Sequence, residues 1–297
     1  MSAPAVGFIG FGEAAFWIAR GLRGQGVTVT VAYDLHTSTP QKGDLIRQRA
    51  EEAGTRLLTT LAAVPSECDI VISAVTASVA RTVGEEAAPH LEPRHLYMDL
   101  NSVSPSVKQA IGAAVAARGA SFVEAAVMST VPPLGHRVPM LLCGPGAPAF
   151  ADRMGAYGMQ LELLDGPLGS AAAIKMLRSV MIKGLEALML ECVMAAEQYG
   201  AAERVFTTIS ASMPGIDWGR LAHYMIGRTA IHAERRVHEM KEVARTLAEL
   251  GVEPIMASAT ARRIKICADL DLKTRLGGQE PADYRDVLRA IAGAGSV

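Results

Sequence analysis

A short segment near the start of the chain constrains its fold more than any other. Residues 6–15 read Val-Gly-Phe-Ile-Gly-Phe-Gly-Glu-Ala-Ala, an apolar run follows at 27–32, and Asp34 stands just beyond it. The order is strand, Gly-x-Gly-x-x-Ala turn, helix over about 13–23, and a second strand ending in an acid, which is the pattern of a dinucleotide-binding unit. Each position has a physical task. Gly10 permits the tight turn, Gly12 lets the backbone approach a pyrophosphate, and Ala15 is small enough for the helix to pack closely on the strand. The N–H groups of the first helical turn lack intrahelical acceptors and carry partial positive charge, which favours phosphate oxygens. The positions expected to line a cofactor are therefore Gly10, Phe11, Gly12, Glu13, Ala14 and Ala15. Asp34 is placed to accept hydrogen bonds from the adenosine ribose hydroxyls and to repel a 2′-phosphate. Neither Leu35 nor His36 supplies an arginine for that phosphate, so the pattern predicts NAD and disfavours NADP. Taken alone, the glycines also fit a purely structural turn.

With 297 residues, half of them hydrophobic, the chain is long enough for about two packed domains. A formal net charge of −1 gives no electrostatic footprint for nucleic acid or an anionic membrane surface. No apolar run approaches the roughly 18 residues of a membrane span, and the N-terminus lacks a basic stretch leading into an apolar core. The expectation is a cytoplasmic protein with neither nucleic acid nor membrane as partner. Cys68, Cys143, Cys192 and Cys267 are scattered without Cys-x-x-Cys spacing, and no His-Glu-x-x-His occurs. That predicts reduced thiols and no metal site.

From residue 5 to about 165, apolar runs at 27–32, 70–75, 95–100, 121–127, 138–143 and 160–164 alternate with helical stretches at 42–53, 77–87, 106–118 and 147–157. Such alternation specifies a mostly parallel sheet with helices on both faces and ligands at the carboxyl ends of its strands. Beyond Gly166 only helical stretches follow, over 170–199, 201–212, 217–225, 228–250, 255–270 and 281–292. The predicted organisation is a dinucleotide-binding domain over 1–168 and an all-helical domain over 169–297, with a hinge near 165–170 where Gly166, Pro167 and Gly169 cluster.

Most positions over 171–190 are apolar, as in a helix buried among others. The exceptions, Lys175, Arg178, Ser179, Lys183 and Glu186, fall in one stripe about 140° wide at 100° per residue. A stripe of this kind is either a solvent face or the wall of a cleft.

The run Gly166-Pro167-Leu168-Gly169-Ser170-Ala171-Ala172-Ala173-Ile174-Lys175 resembles the catalytic segment of the β-hydroxyacid dehydrogenases, the family that contains 3-hydroxyisobutyrate and 6-phosphogluconate dehydrogenases. The resemblance implies an α/β fold: a Rossmann-type doubly wound sheet followed by an all-α C-terminal domain, the two joined by a long interdomain helix. It implies that Lys175 is the general acid/base, exchanging a proton with a substrate hydroxyl while a hydride moves between nicotinamide and the carbon that bears it. Ser179 stands where the family has an asparagine that orients the substrate, and a serine has less reach and a single donor. Asp99-Leu100-Asn101-Ser102-Val103-Ser104-Pro105 resembles the strand-end segment on the nicotinamide side, and Ser73-Ala74-Val75-Thr76 the loop flanking the cofactor. Ser73, Ala74, Val75, Thr76 and Asn101 thereby join the expected cofactor positions.

Glu124-Ala125-Ala126-Val127-Met128-Ser129-Thr130 takes the place of the family's Asp-Ala-Pro-Val-Ser-Gly-Gly substrate loop, with Met128 for the serine and Ser129-Thr130 for the two glycines. Met128, Ser129, Thr130 and Ser179 are the substrate positions this implies. The stretches 233–244 and 250–254 resemble a branch described as having a phosphogluconate-dehydrogenase-like C-terminal domain. On the helix expected over 228–250, His232, Arg235 and His238 form either a solvated basic face or a meeting point for an anionic substrate. The implied substrate is a small hydroxy acid or its carbonyl form, with a carboxylate, and the implied assembly is a homodimer with interlocked helical domains. An imine reductase and a 6-phosphogluconate-type oxidative decarboxylase use similar scaffolds. Lys175 disfavours the first, and the spacing of Glu186 does not match the acid of the second. A non-catalytic NAD-sensing protein is the reading outside enzymology.

Overall fold

The computed structural model describes residues 3–27 and 30–294, and the chain divides into two compact units, Met1–Lys175 and Met176–Val297. The first unit runs β1 (Val6–Ile9), α1 (Glu13–Gly24), β2 (Thr30–Tyr33), α2 (Lys42–Ala53), β3 (Arg56–Leu57), α3 (Ala63–Glu67), β4 (Ile70–Ser73), α4 (Ala80–Ala87), β5 (Leu96–Asp99), α5 (Pro105–Ala116), β6 (Ser121–Val127), α6 (Val131–Leu134), β7 (Met140–Cys143), α7 (Ala147–Gly155) and β8 (Leu161–Leu163), and then enters the long helix α8 (Ser170–Tyr199).

The strands form one eight-stranded sheet in the order β3-β2-β1-β4-β5-β6-β7-β8. Every neighbouring pair is parallel except β6–β7, which is antiparallel. The chain order reverses between β1 and β4, which is the switch point of a doubly wound sheet. Buried on both faces, β1, β4 and β5 consist of uninterrupted runs of buried residues, as parallel strands under two helical layers must. Alternation sends Ile70 and Ile72 into one core with Phe8, Leu22, Met98 and Phe150, and Val71 into the other with Tyr97, Ile111 and Phe122. The doubly wound α/β fold expected from the sequence is the fold observed.

Some elements differ from expectation for local reasons. The strand expected at 27–32 starts at Thr30, while Thr28 and Val29 lie outside the described residues. The edge strand β3 has only two residues and α6 only four, too few for either periodicity to show. A short turn over Gly135–Arg137 after α6 packs the buried His136 ring on α1, where a Cβ on Gly21 would collide with the imidazole.

The second unit continues α8 and adds α9 (Ala202–Ser212), α10 (Trp218–Ile231), α11 (Ala233–Glu249), α12 (Ile255–Asp269), α13 (Leu272–Arg275) and α14 (Tyr284–Ala292). Its core gathers Leu190, Val193, Phe206, Trp218, Ile226, Ile264, Tyr284 and Val287. Asp217 and Asp283 start α10 and α14 by accepting from the N–H groups of Arg220 and Arg285. The sequence suggests a break near Gly227, but α10 runs through it and ends at Ile231, with His232 following as its C-cap. Gly227 lies close against Pro281, leaving little room for a side chain, so this glycine serves packing rather than termination. Among the described residues no helix is long and apolar enough to cross a membrane.

Burial, with Arg137 beside it, holds His136 below the usual histidine range. The native state then resists a proton that the unfolded chain accepts, so this contribution to stability is present above about pH 6.5 and is lost as the pH falls below it. Denaturant midpoints should therefore fall between pH 7.5 and 5.5, and a His136→Gln variant should show a shallower decline, as read by urea unfolding at each pH.

Candidate functional site

Strand register brings the expected segments of the first unit to one edge of the sheet. Tyr33, Ile9, Ser73, Asp99 and Glu124 are Cα partners in a row across β2, β1, β4, β5 and β6. These strands are parallel, so the loops that follow them, 10–12, 74–76, 100–102 and 128–130, all leave at the carboxyl edge. Ser73, Asp99 and Glu124 are each fully buried, and a polar row taken out of water must be supplied with partners.

At β1, Gly10 has a φ of 86° and its N–H donates to the Tyr33 carbonyl at 2.8 Å. A Cβ there would lie 2.6 Å from the Ala74 carbonyl oxygen, so the turn presses on the loop after β4 as only glycine can. At Gly12, by contrast, a Cβ would meet nothing within 4 Å. That open space above the start of α1 has room for a pyrophosphate, which a side chain at this position would take up. Ala15 is buried against the sheet, Ala14 is half-buried and Glu13 exposed. The Phe11 side chain belongs to the core, edge-on to Phe8 with ring centroids 5.9 Å apart. Its N–H donates to Asp34 Oδ2 and the His36 N–H to Asp34 Oδ1, both at 2.8 Å. Asp34 thus fixes the glycine turn to the end of β2 and stands half-buried beside it.

Asn101 is the hub of the next two loops. Its Nδ2 donates to Ser73 Oγ at 3.0 Å and to Asp99 Oδ2 at 2.6 Å, and its Oδ1 accepts from the Val75 N–H at 2.7 Å. Beyond them Thr76 pairs its hydroxyl with that of Ser78 at 3.2 Å. Asp99 is held in turn by Lys108, whose Nζ lies 2.5 Å from Oδ1 and 2.7 Å from the backbone carbonyl of Asp99. The lysine is 1% exposed and the aspartate 0%. Sequence reading did not find this pair; the signal available was an acid at a strand end with a lysine on the helix that follows. A Lys108→Met variant leaves a buried carboxylate without its counter-charge and should lose about 3–5 kcal/mol of stability, whereas the Asp99→Asn/Lys108→Met double variant should lose less. Chemical denaturation of the two distinguishes the outcomes.

Glu124 takes a role that its place at the head of the expected substrate loop did not announce. Oε2 accepts from the Gly169 N–H and Oε1 from the Ala172 N–H, both at 2.6 Å. The carboxylate therefore caps the opening turn of α8 from β6, satisfying orphan donors with charge of the favourable sign. Gly169 has a φ of 108°, and a Cβ there would lie 3.0 Å from Pro105. Lys175, half-buried on this same opening stretch, donates to Ser102 Oγ at 2.7 Å. Ser102, one residue past Asn101, is the partner that sequence reading missed. Met128 packs on Ala126, Cys143 and Ala171. With Pro139, Met140, Leu141, Gln160, Leu161 and Glu162 it lines a shallow groove at the starts of β7 and β8. Ser129 is exposed and Thr130 half-buried at the start of α6.

In the second unit the polar stripe of α8 is neither a plain solvent face nor an open wall. Ser179 accepts from Lys183 Nζ at 3.1 Å, Lys183 pairs with Glu239 on α11 at 3.0 Å, and Glu186 pairs with Arg236. Ser179, Glu186, Arg236 and Glu239 are buried. Burial pushes the Lys183 ammonium below the usual lysine range, against the opposing pull of Glu239. Arg178 is exposed. His232 lies at the junction of α10 and α11 rather than inside one helix, 3.3 Å from Glu280, with Arg228 3.7 Å from the same carboxylate. Burial lowers its pKa. Arg235 pairs with Glu239 at 2.5 Å and His238 is exposed.

Comparison with known proteins bears on the fold and the family. Residues 5–144 match the NAD binding domain of 6-phosphogluconate dehydrogenase, and residues 196–266 match a domain of unknown function, DUF1932. A conserved hypothetical protein from Sinorhizobium meliloti is 38% identical, with 99% of this chain and 97% of that one covered and a TM-score of 0.75. A conserved protein of unknown function, described as structurally similar to 3-hydroxyacid dehydrogenases, is 34% identical over 92% of this chain and 99% of its own, with a TM-score of 0.70. The 3-hydroxyisobutyrate dehydrogenase of Mycobacterium tuberculosis, solved with L-serine, shares the fold at 16% identity, with 99% and 100% covered and a TM-score of 0.71. The class so defined is that of proteins with an NAD-binding domain of the 6-phosphogluconate-dehydrogenase type on a fold shared with 3-hydroxyacid dehydrogenases. The chain belongs to the β-hydroxyacid dehydrogenase family, in the branch that joins the 6-phosphogluconate-dehydrogenase type of NAD-binding domain to DUF1932.

Proposed function

We propose that the protein is an NAD-dependent dehydrogenase that interconverts a small carboxylate-bearing hydroxy acid and its carbonyl form, with Lys175 as the general acid/base. The observation that carries this reading is the bond from Lys175 Nζ to Ser102 Oγ at 2.7 Å. It holds an ammonium at the carboxyl edge of the sheet, where the glycine turn also leaves and where doubly wound sheets take their ligands. NAD, when bound, supplies the hydride acceptor. The chain's own residues bind and orient: the Gly12 cradle and the α1 terminus receive the pyrophosphate, and Asp34 faces the ribose hydroxyls. Lys175, neutral, takes the proton of the substrate hydroxyl as the adjacent C–H bond gives up its hydride; protonated, it returns that proton in reduction. The 128–130 loop supports the substrate, Ser129 and Thr130 through backbone polar groups and Met128 through an apolar surface suited to a substrate less polar than a sugar phosphate. The reading includes a homodimer, supported by the apolar side chains of Leu177, Met181 and Leu188 that α8 leaves exposed.

A Lys175→Met variant nearly conserves volume and removes the proton exchange. Against a panel of small hydroxy acids its kcat/KM should fall about 10³-fold, while NADH affinity by fluorescence titration stays within about twofold of the parent; parental turnover would remove the assignment. Cofactor choice is tested separately. Asp34→Asn removes the charge facing a 2′-phosphate, and the ratio of NADH to NADPH affinity should narrow by about tenfold.

A further inference from the structure

The lysine proposed to move the proton lies on a helix, and a helix transmits any slip or rotation of its first turn to every residue on it. Lys175 is three residues past Ala172, about 4.5 Å along the axis at 1.5 Å per residue. Ties at the preceding loop hold carbonyls: Cys143 Sγ donates to those of Gly166 and Pro167 at 3.3 Å, and Gln109 Nε2 to that of Leu168 at 2.9 Å. The helix itself is gripped by Glu124, at Gly169 and at Ala172.

Glu124 is well placed to serve as a reference point. It is 0% exposed, its backbone is in register with Asp99 of β5 and Cys143 of β7, and its two carboxylate oxygens each take one N–H. Asp99 stands three residues before Ser102, the partner of Lys175. Two adjacent strands therefore fix the two ends of the Lys175–Ser102 contact, β6 through the helix backbone and β5 through the loop.

We propose that Glu124 is the positioning residue for Lys175, setting the height and rotation of α8 so that the ammonium meets the 100–102 loop. The proposal rests on the reading of Lys175 as the proton-transfer group, and adds to it a residue that touches neither substrate nor cofactor. In a Glu124→Gln variant the side chain keeps its length but offers one acceptor oxygen where two N–H groups require two, so the first turn shifts. Glu124→Asp keeps the charge but is one methylene short, and serves as the second variant if the first fails to fold.

The test labels the full-length protein with an amine-acetylating ester and follows each lysine by peptide mass spectrometry. Lys265, an exposed lysine, sets the baseline, and Lys108, 1% exposed, reports loss of the domain core. Labelling of Lys175 relative to Lys265 should rise severalfold in the variant while Lys108 stays protected. Unchanged Lys175 labelling, or a rise at Lys108 in parallel with it, would overturn the proposal. With a substrate in hand, kcat should fall by about 10²-fold, the scale expected of an ångström-sized misplacement, with the KM for NAD within about twofold. A parent enzyme that turns over no substrate defeats the reading of Lys175 as acid/base, and the labelling result stands apart from it.

Discussion

Three polar side chains in one row of a sheet buried on both faces govern the architecture of the first unit. Ser73, Asp99 and Glu124 occupy adjacent strands in register, and none of them reaches water. Desolvation obliges each to find partners: Asn101, in the loop that leaves the same edge, serves Ser73 and Asp99, and the start of α8, which follows the oppositely running β8, serves Glu124. The cost of removing these groups from water is thereby converted into fixed loop geometry. Lys108 neutralises Asp99 from within the fold, so the edge stays rigid without exposing a structural charge where a ligand would sit.

Local and periodic features were legible in the sequence. Helix α2 and strand β6 lie where the patterns placed them, and α8 begins at Ser170 and ends at Tyr199 as expected. The glycine turn was equally readable, since its Gly-x-Gly-x-x-Ala spacing is local even though the bonds that seat it reach Tyr33 and Asp34. What escaped were contacts made across long stretches of chain. Glu124 reaches Gly169 across 45 residues, and no spacing rule links a strand acid to a helix that begins so far away. The sequence places Asn101 among the cofactor positions, and its bonds to Ser73, Asp99 and Val75 are contacts that no spacing rule announces.

The stripe on α8 shows a second limit. Periodicity placed Ser179, Lys183 and Glu186 on one side of a helix, and that geometry fits water, a cleft or a neighbouring helix equally well. The neighbour proved to be α11, whose Arg236 and Glu239 complement the stripe residue by residue. Pairing of this kind trades desolvation against charge attraction and gains little net stability. It does penalise packing in any other register, because a slip would leave a buried charge opposite a like charge or an apolar side chain.

The single antiparallel pair in the sheet, β6 with β7, has a consequence of its own. Reversal of direction makes the beginning of β7 and the parallel beginning of β8 share an edge with the end of β6. The groove beside Met128 is consequently walled by chain that arrives at this edge, while the glycine turn and the Asn101 hub belong to chain that departs from it. Met140 belongs to the sheet core, but Gln160 and Glu162 are exposed and can change in size and polarity without disturbing the row from Ile9 to Glu124. The fold thus separates a part of its rim that is free to diversify from a part that its buried polar row holds constant, and a lineage can remodel one without rebuilding the other.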